Sequence, residues 1–225
     1  MGRGGGGGGR AARSRATAKQ PAITDGLLGL SDIDKKALVA EMTAQGLTGA
    51  KIKQVIGATK DAQVRIYMVG KGEITVQVRT QNYTMMRTLK RASDGTKYIK
   101  NDSFYMTSKG TGLGTKIFAR QVKQASKAGY SKIVTDAAGR KGMSDNGYYT
   151  WARLGYNAKL SAADRSSLPK KFQKAKDIQQ LMAMKGGKEA WKEHGSMFRG
   201  SFDLKKGSRS RRVLAAYLKE KKKNA

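Results

Sequence analysis

The chain has 225 residues and a mass of 24.4 kDa, enough for one full-sized domain with extensions or for two small domains. Its 46 lysines and arginines face only 16 acidic residues, and the resulting charge of +30 favours a polyanionic partner. The lack of cysteine excludes disulfides and thiolate chemistry, while the single histidine, His194, excludes histidine-rich metal clusters and a Ser-His-Asp triad elsewhere. No apolar run is long enough to cross a bilayer and no signal peptide is evident, so we expect a soluble protein without membrane contact.

Both ends of the chain are strongly basic. Residues 1–20 contain seven glycines and five basic residues, and residues 205–223 contain nine basic residues against Glu220. The first end contributes +5 and the second +8, which leaves +17 on residues 21–204. We expect a disordered basic arm over residues 1–22 and a basic helix or tail over residues 205–225, either binding the phosphates of DNA or RNA or remaining solvated without a specific partner.

Residues 23–60 predict a pair of short helices. Ser31 and Asp34 resemble a capping box before an apolar pattern that ends at Gly46, and Thr48 can cap a second helix. Such a pair is compatible with a helix-turn-helix reader of DNA or with two helices that pack on the main domain.

Alternating apolar residues then predict four consecutive strands joined by short turns. Such a series is typical of an antiparallel meander. The predicted strands are Val64–Val69, Ile74–Arg79, Tyr83–Lys90 and Tyr98–Thr107.

The apolar period changes after the fourth strand. A helix is predicted from Thr115 to Ala128, closed by Gly129, and Ile133–Ala137 is a fifth strand that completes a βαβ unit. Residues 61–204 are therefore predicted to form one α+β domain with a mixed, mostly antiparallel sheet.

The rest of the domain is predicted to contain two short helical regions and a returning strand. Tyr148–Leu154 forms a helix, a helical insert covers residues 165–195, and Ser196–Leu204 returns to the sheet. An amphipathic helix around Val213 follows.

The glycine-rich string from Lys109 to Gly114 lies between the fourth strand and the following helix. Glycines allow close approach of the backbone to a ligand, and the first turn of a helix attracts phosphate oxygens. Neither the GxGxxG dinucleotide pattern nor the P-loop pattern fits, because both need glycine at Thr115. The string therefore predicts a pyrophosphate cradle of another type or simply a tight turn.

A second string, N-G-Y-Y-T-W-A-R-L-G-Y at residues 146–156, follows downstream. Together with the strands, the K-x-x-G-x-G-like loop and the βαβ unit, it resembles the GNAT acyltransferase superfamily over roughly residues 62–204. The later W-K-E-H-G and F-D-L-x-x-G-S-R-S strings resemble GNAT-like domains often encoded in bacteriophage proteins.

The resemblance implies an acetyl-CoA site and a catalytic pair. The tyrosine that serves as general acid in the family is replaced by Trp151, so Tyr148 or Tyr149 would have to supply that proton, and Asp102 is the nearest candidate for a base. The implied cofactor contacts are Lys109, Gly110, Gly112, Leu113, Gly114 and Thr115.

Two functions follow from these observations. The first is an N-acyltransferase that binds acetyl-CoA and acylates an unknown amine, with weak or lost activity because of Trp151. The second is a non-catalytic nucleic-acid-binding protein of a phage virion that keeps the GNAT fold and contacts other virion proteins. The expected location is accordingly the cytoplasm or the virion.

Overall fold

The computed structural model describes Met1, residues 32–108 and residues 110–223. The predicted basic arm, the Ser31 cap and Lys109 lie outside the described residues, apart from Met1. The helices are α1 (Asp32–Gln45), α2 (Gly49–Val55), α3 (Leu113–Lys127), α4 (Gly147–Arg153), α5 (Ala162–Ser167), α6 (Ile178–Ala183), α7 (Gly187–His194) and α8 (Arg209–Lys223). The strands are β1 (Gln63–Gly70), β2 (Glu73–Arg79), β3 (Tyr83–Arg91), β4 (Lys97–Met106), β5 (Lys132–Ala137) and β6 (Phe198–Asp203).

The six strands form one sheet in the order β1-β2-β3-β4-β5-β6. Strands β4 and β5 are parallel, because α3 provides the crossover that returns the chain to the same end of the sheet. The other neighbouring strands are antiparallel. This confirms the predicted α+β class with its mixed, mostly antiparallel sheet.

The outer strand β1 is irregular. Its pairing with β2 shifts register between Ile66 and Met68, so that Tyr67 is an extra residue in a β-bulge. Tyr67 is exposed, as expected for a residue that has left the regular ladder on an edge strand.

The predicted helical pair packs on the domain. The Thr48 hydroxyl accepts a hydrogen bond from the Lys51 N–H and caps α2, while Gly46 ends the preceding helix region with a φ of +68°. Helix α1 contacts β1 and β2, and α2 contacts α3. The two helices thus cover one face of the sheet.

The main core lies between that face and the helices. Every second side chain along the strands β1 to β6 points into this core. There these apolar side chains pack against the apolar faces of α1, α2, α3 and α8. A second apolar cluster is built by α4, α6, α7 and the segments between them. Burial of these two clusters is the main source of stability.

The helical insert consists of short pieces rather than one continuous helix. It begins earlier than predicted, with α5 from Ala162, and continues through a 3₁₀ turn at Lys170–Phe172 to α6 and α7. A Cβ on Gly187 would lie 1.8 Å from the Leu181 carbonyl oxygen, so glycine is needed for the close approach of α7 to α6. Among residues 32–108 and 110–223, none of the helices has the length and apolar character required to cross a bilayer.

Candidate functional site

The parallel strands β4 and β5 separate before either of them ends. Their pairing runs from Tyr98 opposite Lys132 to Asn101 opposite Thr135, where the Thr135 hydroxyl donates to the Asn101 carbonyl at 3.0 Å. Beyond that pair, β4 continues to Met106 and β5 to Ala137. The two strands therefore leave a gap at the edge of the sheet where their carboxyl ends meet, which is where open α/β sheets bind ligands.

A β-bulge in β4 adjoins this gap and contains Asp102. On β3, Met86 pairs with Ser103 and Arg87 pairs with Asn101, so Asp102 is the extra residue. Its carboxylate accepts a hydrogen bond from the Thr88 hydroxyl at 2.8 Å and lies 3.0 Å from the Lys100 ammonium.

Asp102 lies on the face of the sheet away from α3. Its partner Thr88 alternates along β3 with the core residues Arg87 and Leu89, and so it points to the opposite face. The carboxylate is held by two neighbours on that face, and its side chain keeps 20% exposure to solvent.

The glycine-rich turn leads into α3 at the same edge of the sheet. Gly110 and Gly112 have φ values of +83° and +74°, and Gly112 is the N-cap residue without a side chain that could cap the helix. Among the described residues, the acceptor of the Leu113 N–H is the Thr111 hydroxyl, at 3.4 Å. First-turn N–H groups such as those of Gly114 and Thr115 have no intrahelical acceptor, so they are available to an anion.

Contacts between α3 and β4 bring the turn to the gap. A Cβ on Gly114 would lie 3.4 Å from the Phe104 ring and 3.8 Å from Met106 Sδ. Phe104 and Met106 belong to the part of β4 that has already separated from β5. Of the predicted cofactor contacts, Gly110, Gly112, Leu113, Gly114 and Thr115 are thus close together, and Lys109 is outside the described residues.

The predicted tyrosines of α4 lie on the helical side of the sheet. Burial raises the pKa of Tyr148, whose hydroxyl donates to the Lys192 carbonyl at 2.6 Å within the second apolar cluster. Tyr149 faces the Arg153 guanidinium, which lies 5.2 Å from its ring centroid. The structure does not bring either tyrosine together with Asp102, which is on the opposite face.

Trp151 is part of the core packing. Its ring meets those of Phe118 and Tyr156 edge-on, with centroid distances of 5.5 and 5.3 Å. The position at which the resemblance places a general acid is therefore occupied by an indole that contacts other aromatic rings.

Tyr149 lines a groove of about 680 Å³ between α4, α6, α7 and α8. The Arg153 guanidinium also lies 5.0 Å from the Tyr217 ring centroid, so it is flanked by two aromatic rings. Basic side chains outnumber the acidic ones in this groove. The charged residues lining it are Arg153, Lys188, Lys192, Arg209, Glu189 and Glu220.

Sequence reasoning missed a polar cluster in the main core beside the gap. The side-chain amides of Asn101 and Gln121 donate to each other at 3.2 and 2.8 Å, and Asn101 also donates to the Tyr156 hydroxyl at 3.1 Å. Burial raises the pKa of Tyr156, so its hydroxyl stays protonated. This cluster joins β4, α3 and the segment that follows α4 at the point where the strands separate.

Arg87 is the charged member of this buried region. It is opposite Asn101 on β3, has no solvent exposure, and its three guanidinium nitrogens have no hydrogen-bond partner among the described residues. The sequence does contain a signal for this burial, because Arg87 occupies one position of the alternating series Tyr83, Met85 and Leu89 that faces the core.

Within the described part of the chain, no group of three acidic or histidine side chains is arranged to hold a metal ion. The groups that the structure places around the gap are the main-chain N–H groups of the first turn of α3, the polar core cluster and the Asp102 carboxylate on the outer face. No protein-family model matches the chain, and no curated protein matches it.

Proposed function

We propose that this protein is an N-acyltransferase that takes its acyl group from a coenzyme A thioester. The observation that carries the proposal is the separation of β4 from β5 after Asn101 and Thr135, directly in front of the N-terminus of α3. A long, narrow ligand with a phosphate group in its middle matches this combination of an anion-binding helix end and a gap between strands.

The glycine-rich turn supplies the phosphate part of the proposed site. A 15-residue helix with an uncapped N-terminus presents positive partial charge there, and Gly112 leaves the N–H groups uncovered. Apart from Gly112, its two chain neighbours and the nearby backbone of α3, no atom of the described residues lies within 4 Å of the position that a Cβ on Gly112 would take, which leaves room for a ligand. Under this proposal the pyrophosphate accepts hydrogen bonds from Gly112, Leu113 and Gly114.

The transfer itself joins the amine nitrogen to the thioester carbonyl carbon and breaks the carbon–sulfur bond. The nitrogen loses a proton and the departing thiolate gains one, so the overall proton balance is closed. Asp102 can accept the proton only from an amine that approaches on its own face of the sheet. Because the Tyr148 hydroxyl donates to the Lys192 carbonyl and Tyr149 lines the separate groove beside α8, protonation of the thiolate is assigned to water, and we expect slow turnover.

The first test compares Gly112→Asp with Gly112→Asn. Both side chains are similar in size and tolerate a positive φ better than other residues, but only aspartate adds a negative charge beside the phosphates. We expect calorimetry with acetyl-CoA to show at least a tenfold weaker binding for Gly112→Asp than for Gly112→Asn. Equal affinities in the two variants would contradict a phosphate site at this turn, and a parent protein that binds no CoA thioester would overturn the proposed function.

A second candidate function is nucleic-acid binding, and the charge distribution around α8 favours it. The helix carries seven basic residues against Glu220, and its residues Arg209 and Tyr217 line the groove that also contains Tyr149 and Arg153. Even if each of the 16 acidic residues neutralised one basic residue, 30 of the 46 basic residues in the chain would remain without a carboxylate. Such an excess, next to aromatic rings, suits a phosphate backbone and its bases.

This second candidate is tested without removing α8, because Leu214 of that helix is buried in the main core. Replacing Lys219, Lys221, Lys222 and Lys223 with glutamine keeps the packing of Leu214 and removes four charges. For duplex DNA, the slope of log K against log salt should fall by about 0.9 for every phosphate that the helix no longer neutralises. An unchanged slope would mean that these four lysines neutralise no phosphate and would contradict a phosphate-binding role for this end of α8.

A further inference from the structure

Arg87 is a buried cation without a counter-ion in the described part of the chain. Its Cα is opposite Val76 on one side and Asn101 on the other, and its guanidinium lies 5.8 Å from the Phe104 ring centroid. The other ionisable groups that act on it are the hydroxyls of Tyr83 and Tyr156, and burial raises the pKa of Tyr156, which keeps that hydroxyl protonated. Neither a ring face nor a hydroxyl neutralises a full positive charge.

Burial lowers the pKa of Arg87 to about 10, which still leaves the guanidinium protonated at neutral pH. A charge taken out of water without an opposite charge destabilises the folded protein. Buried guanidinium groups in folded proteins are normally paired with carboxylates or phosphates, often through two parallel hydrogen bonds. An unpartnered arginine in the core therefore points to an anion that arrives with a ligand.

The guanidinium is well placed to receive that anion from the gap. On β3, Arg87 pairs with Asn101, which is the last residue of β4 that pairs with β5. The Arg87 side chain extends towards Phe104, which lies in the part of β4 that no longer pairs with β5. Phe104 in turn touches the first turn of α3 at Gly114. Phe104 therefore lies between the glycine-rich turn and Arg87, and a ligand that extends from the turn into the gap would approach the guanidinium past this ring.

We propose that Arg87 binds a carboxylate at the far end of the acyl group, so that the preferred donor is the coenzyme A thioester of a dicarboxylic acid. This inference rests on the proposed function, since it names the acyl group for the same site. Malonyl and succinyl thioesters have the required chemistry, because each carries a terminal carboxylate that can pair with the planar guanidinium. The acetyl thioester leaves Arg87 unpaired.

The primary experiment uses the parent protein and compares malonyl-CoA with butyryl-CoA by calorimetry. The two acyl chains are similar in length, but only malonyl ends in a carboxylate. We expect malonyl-CoA or succinyl-CoA to bind about tenfold or more tightly than butyryl-CoA and acetyl-CoA, as a charge-assisted, buried hydrogen-bonded pair would give. Equal affinities for all four would overturn this inference and leave the proposed function intact, whereas no binding of any thioester would overturn both.

The variant Arg87→Met, with Leu89→Met as a control, tests whether the guanidinium is responsible. Leu89 is equally buried on the same face of β3. We expect Arg87→Met to lose the preference for carboxylated donors and to raise the melting temperature of the free protein, because an unpaired charge is removed. Leu89→Met should keep the preference. A preference that survives in Arg87→Met, or a lower melting temperature in that variant than in Leu89→Met, would overturn the inference.

Free malonate and inorganic phosphate distinguish an acyl carboxylate from a small anion. If either raises the melting temperature of the parent protein as much as malonyl-CoA does, Arg87 holds a free anion and the inference about the acyl group is overturned. We expect a smaller shift from both anions, since neither contacts the glycine-rich turn.

Discussion

Two buried regions of this molecule differ in whether all of their polar side chains have hydrogen-bond partners. In the cluster of α4, α6 and α7, the Trp191 indole N–H donates to the Tyr148 carbonyl at 3.1 Å. The Gln179 amide, also buried there, donates to the carbonyls of Ala152 and Tyr156 at 2.7 Å each. In this cluster the polar groups fix how the short helices fit together.

In the core beneath α3, by contrast, Arg87 keeps three nitrogens without a described partner beside a satisfied Asn101–Gln121 amide pair. One region is thus built for stability, and the other includes a group that lowers stability unless something binds. Sites that violate a packing rule in an otherwise consistent fold are typically functional. This difference supports our proposal that the core beside the gap binds a ligand, while the second cluster stabilises the fold.

Among the substitutions considered, Trp191→Ala is expected to destabilise the second apolar cluster most. The side chain is 1% exposed and packs edge-on against Phe198, so its loss leaves a large cavity. We expect the free energy of unfolding to fall by about 3–5 kcal/mol in urea titrations. His194→Ala, at the exposed end of the same helix, should change it by about 0.5 kcal/mol or less. A loss below about 1 kcal/mol in Trp191→Ala would contradict the role of this cluster.

A smaller effect is expected from Gln179→Met, which keeps the volume and removes the amide. The Ala152 and Tyr156 carbonyls then stay buried without their donor, at a cost of about 1–3 kcal/mol in unfolding free energy. Gln180→Met, at the neighbouring exposed position, is the matched control and should cost less. If both variants lose the same free energy in urea, the Gln179 hydrogen bonds do not hold this cluster together.

Tyr156→Phe tests the polar cluster beside Arg87. The hydroxyl accepts from Asn101, which keeps its reciprocal bonds to Gln121, so we expect a loss of only about 0.5–1.5 kcal/mol in thermal or urea unfolding. Tyr105→Phe, on a side chain 65% exposed, should have no measurable effect. A loss as large as that of Trp191→Ala would mean that this region is as structural as the second cluster.

The smallest effect concerns Glu41, a buried charge that does have partners. Burial opposes its ionisation, but hydrogen bonds from Arg91, Gln45 and the Gly72 N–H outweigh that effect and hold the pKa of Glu41 below 4.5. A lowered carboxyl pKa in the folded state stabilises the protein above pH 4.5, and this stability is lost as the pH falls through the folded-state value.

We therefore expect Glu41→Gln to be less stable than the parent at neutral pH and to lose less stability between neutral pH and about pH 3. Urea unfolding at several pH values measures both quantities. Glu220→Gln, on the exposed face of α8, is the control and should follow the parent. A parallel pH dependence of the parent and Glu41→Gln would contradict the ionised role of Glu41.

Much of this fold was predictable because the signals are local. Thr48 as a cap, Gly129 after α3 and the alternation of the first four strands each act within a few residues, and all are present in the structure. The start of the insert at Ala162 was not predicted, since the α5 sequence A-A-D-R-S-S has no apolar stripe, although Ser161 and Asp164 form a capping box there.

The candidate site was predictable only in part. The turn at residues 110–114 was visible as a pattern, whereas the bulge at Asp102 depends on the register between β3 and β4, which no local pattern fixes. The burial of Arg87 could have been predicted from its place in the alternating series between Met85 and Leu89. That its guanidinium has no hydrogen-bond partner among the described residues could not, because this depends on which side chains of β2, β4 and α3 surround it in the folded protein.

The bulge at Tyr67 bears on how copies of this chain behave when they are crowded together. An outer strand with an unbroken row of N–H and C=O groups invites the strand of another molecule to join the sheet. Here the extra residue interrupts that row on β1, and at the other border Asn157 already exchanges two backbone hydrogen bonds of 2.9 Å with Ser201 of β6. Since the high net positive charge also makes the molecules repel one another, we expect the sheet to resist extension from one molecule to the next.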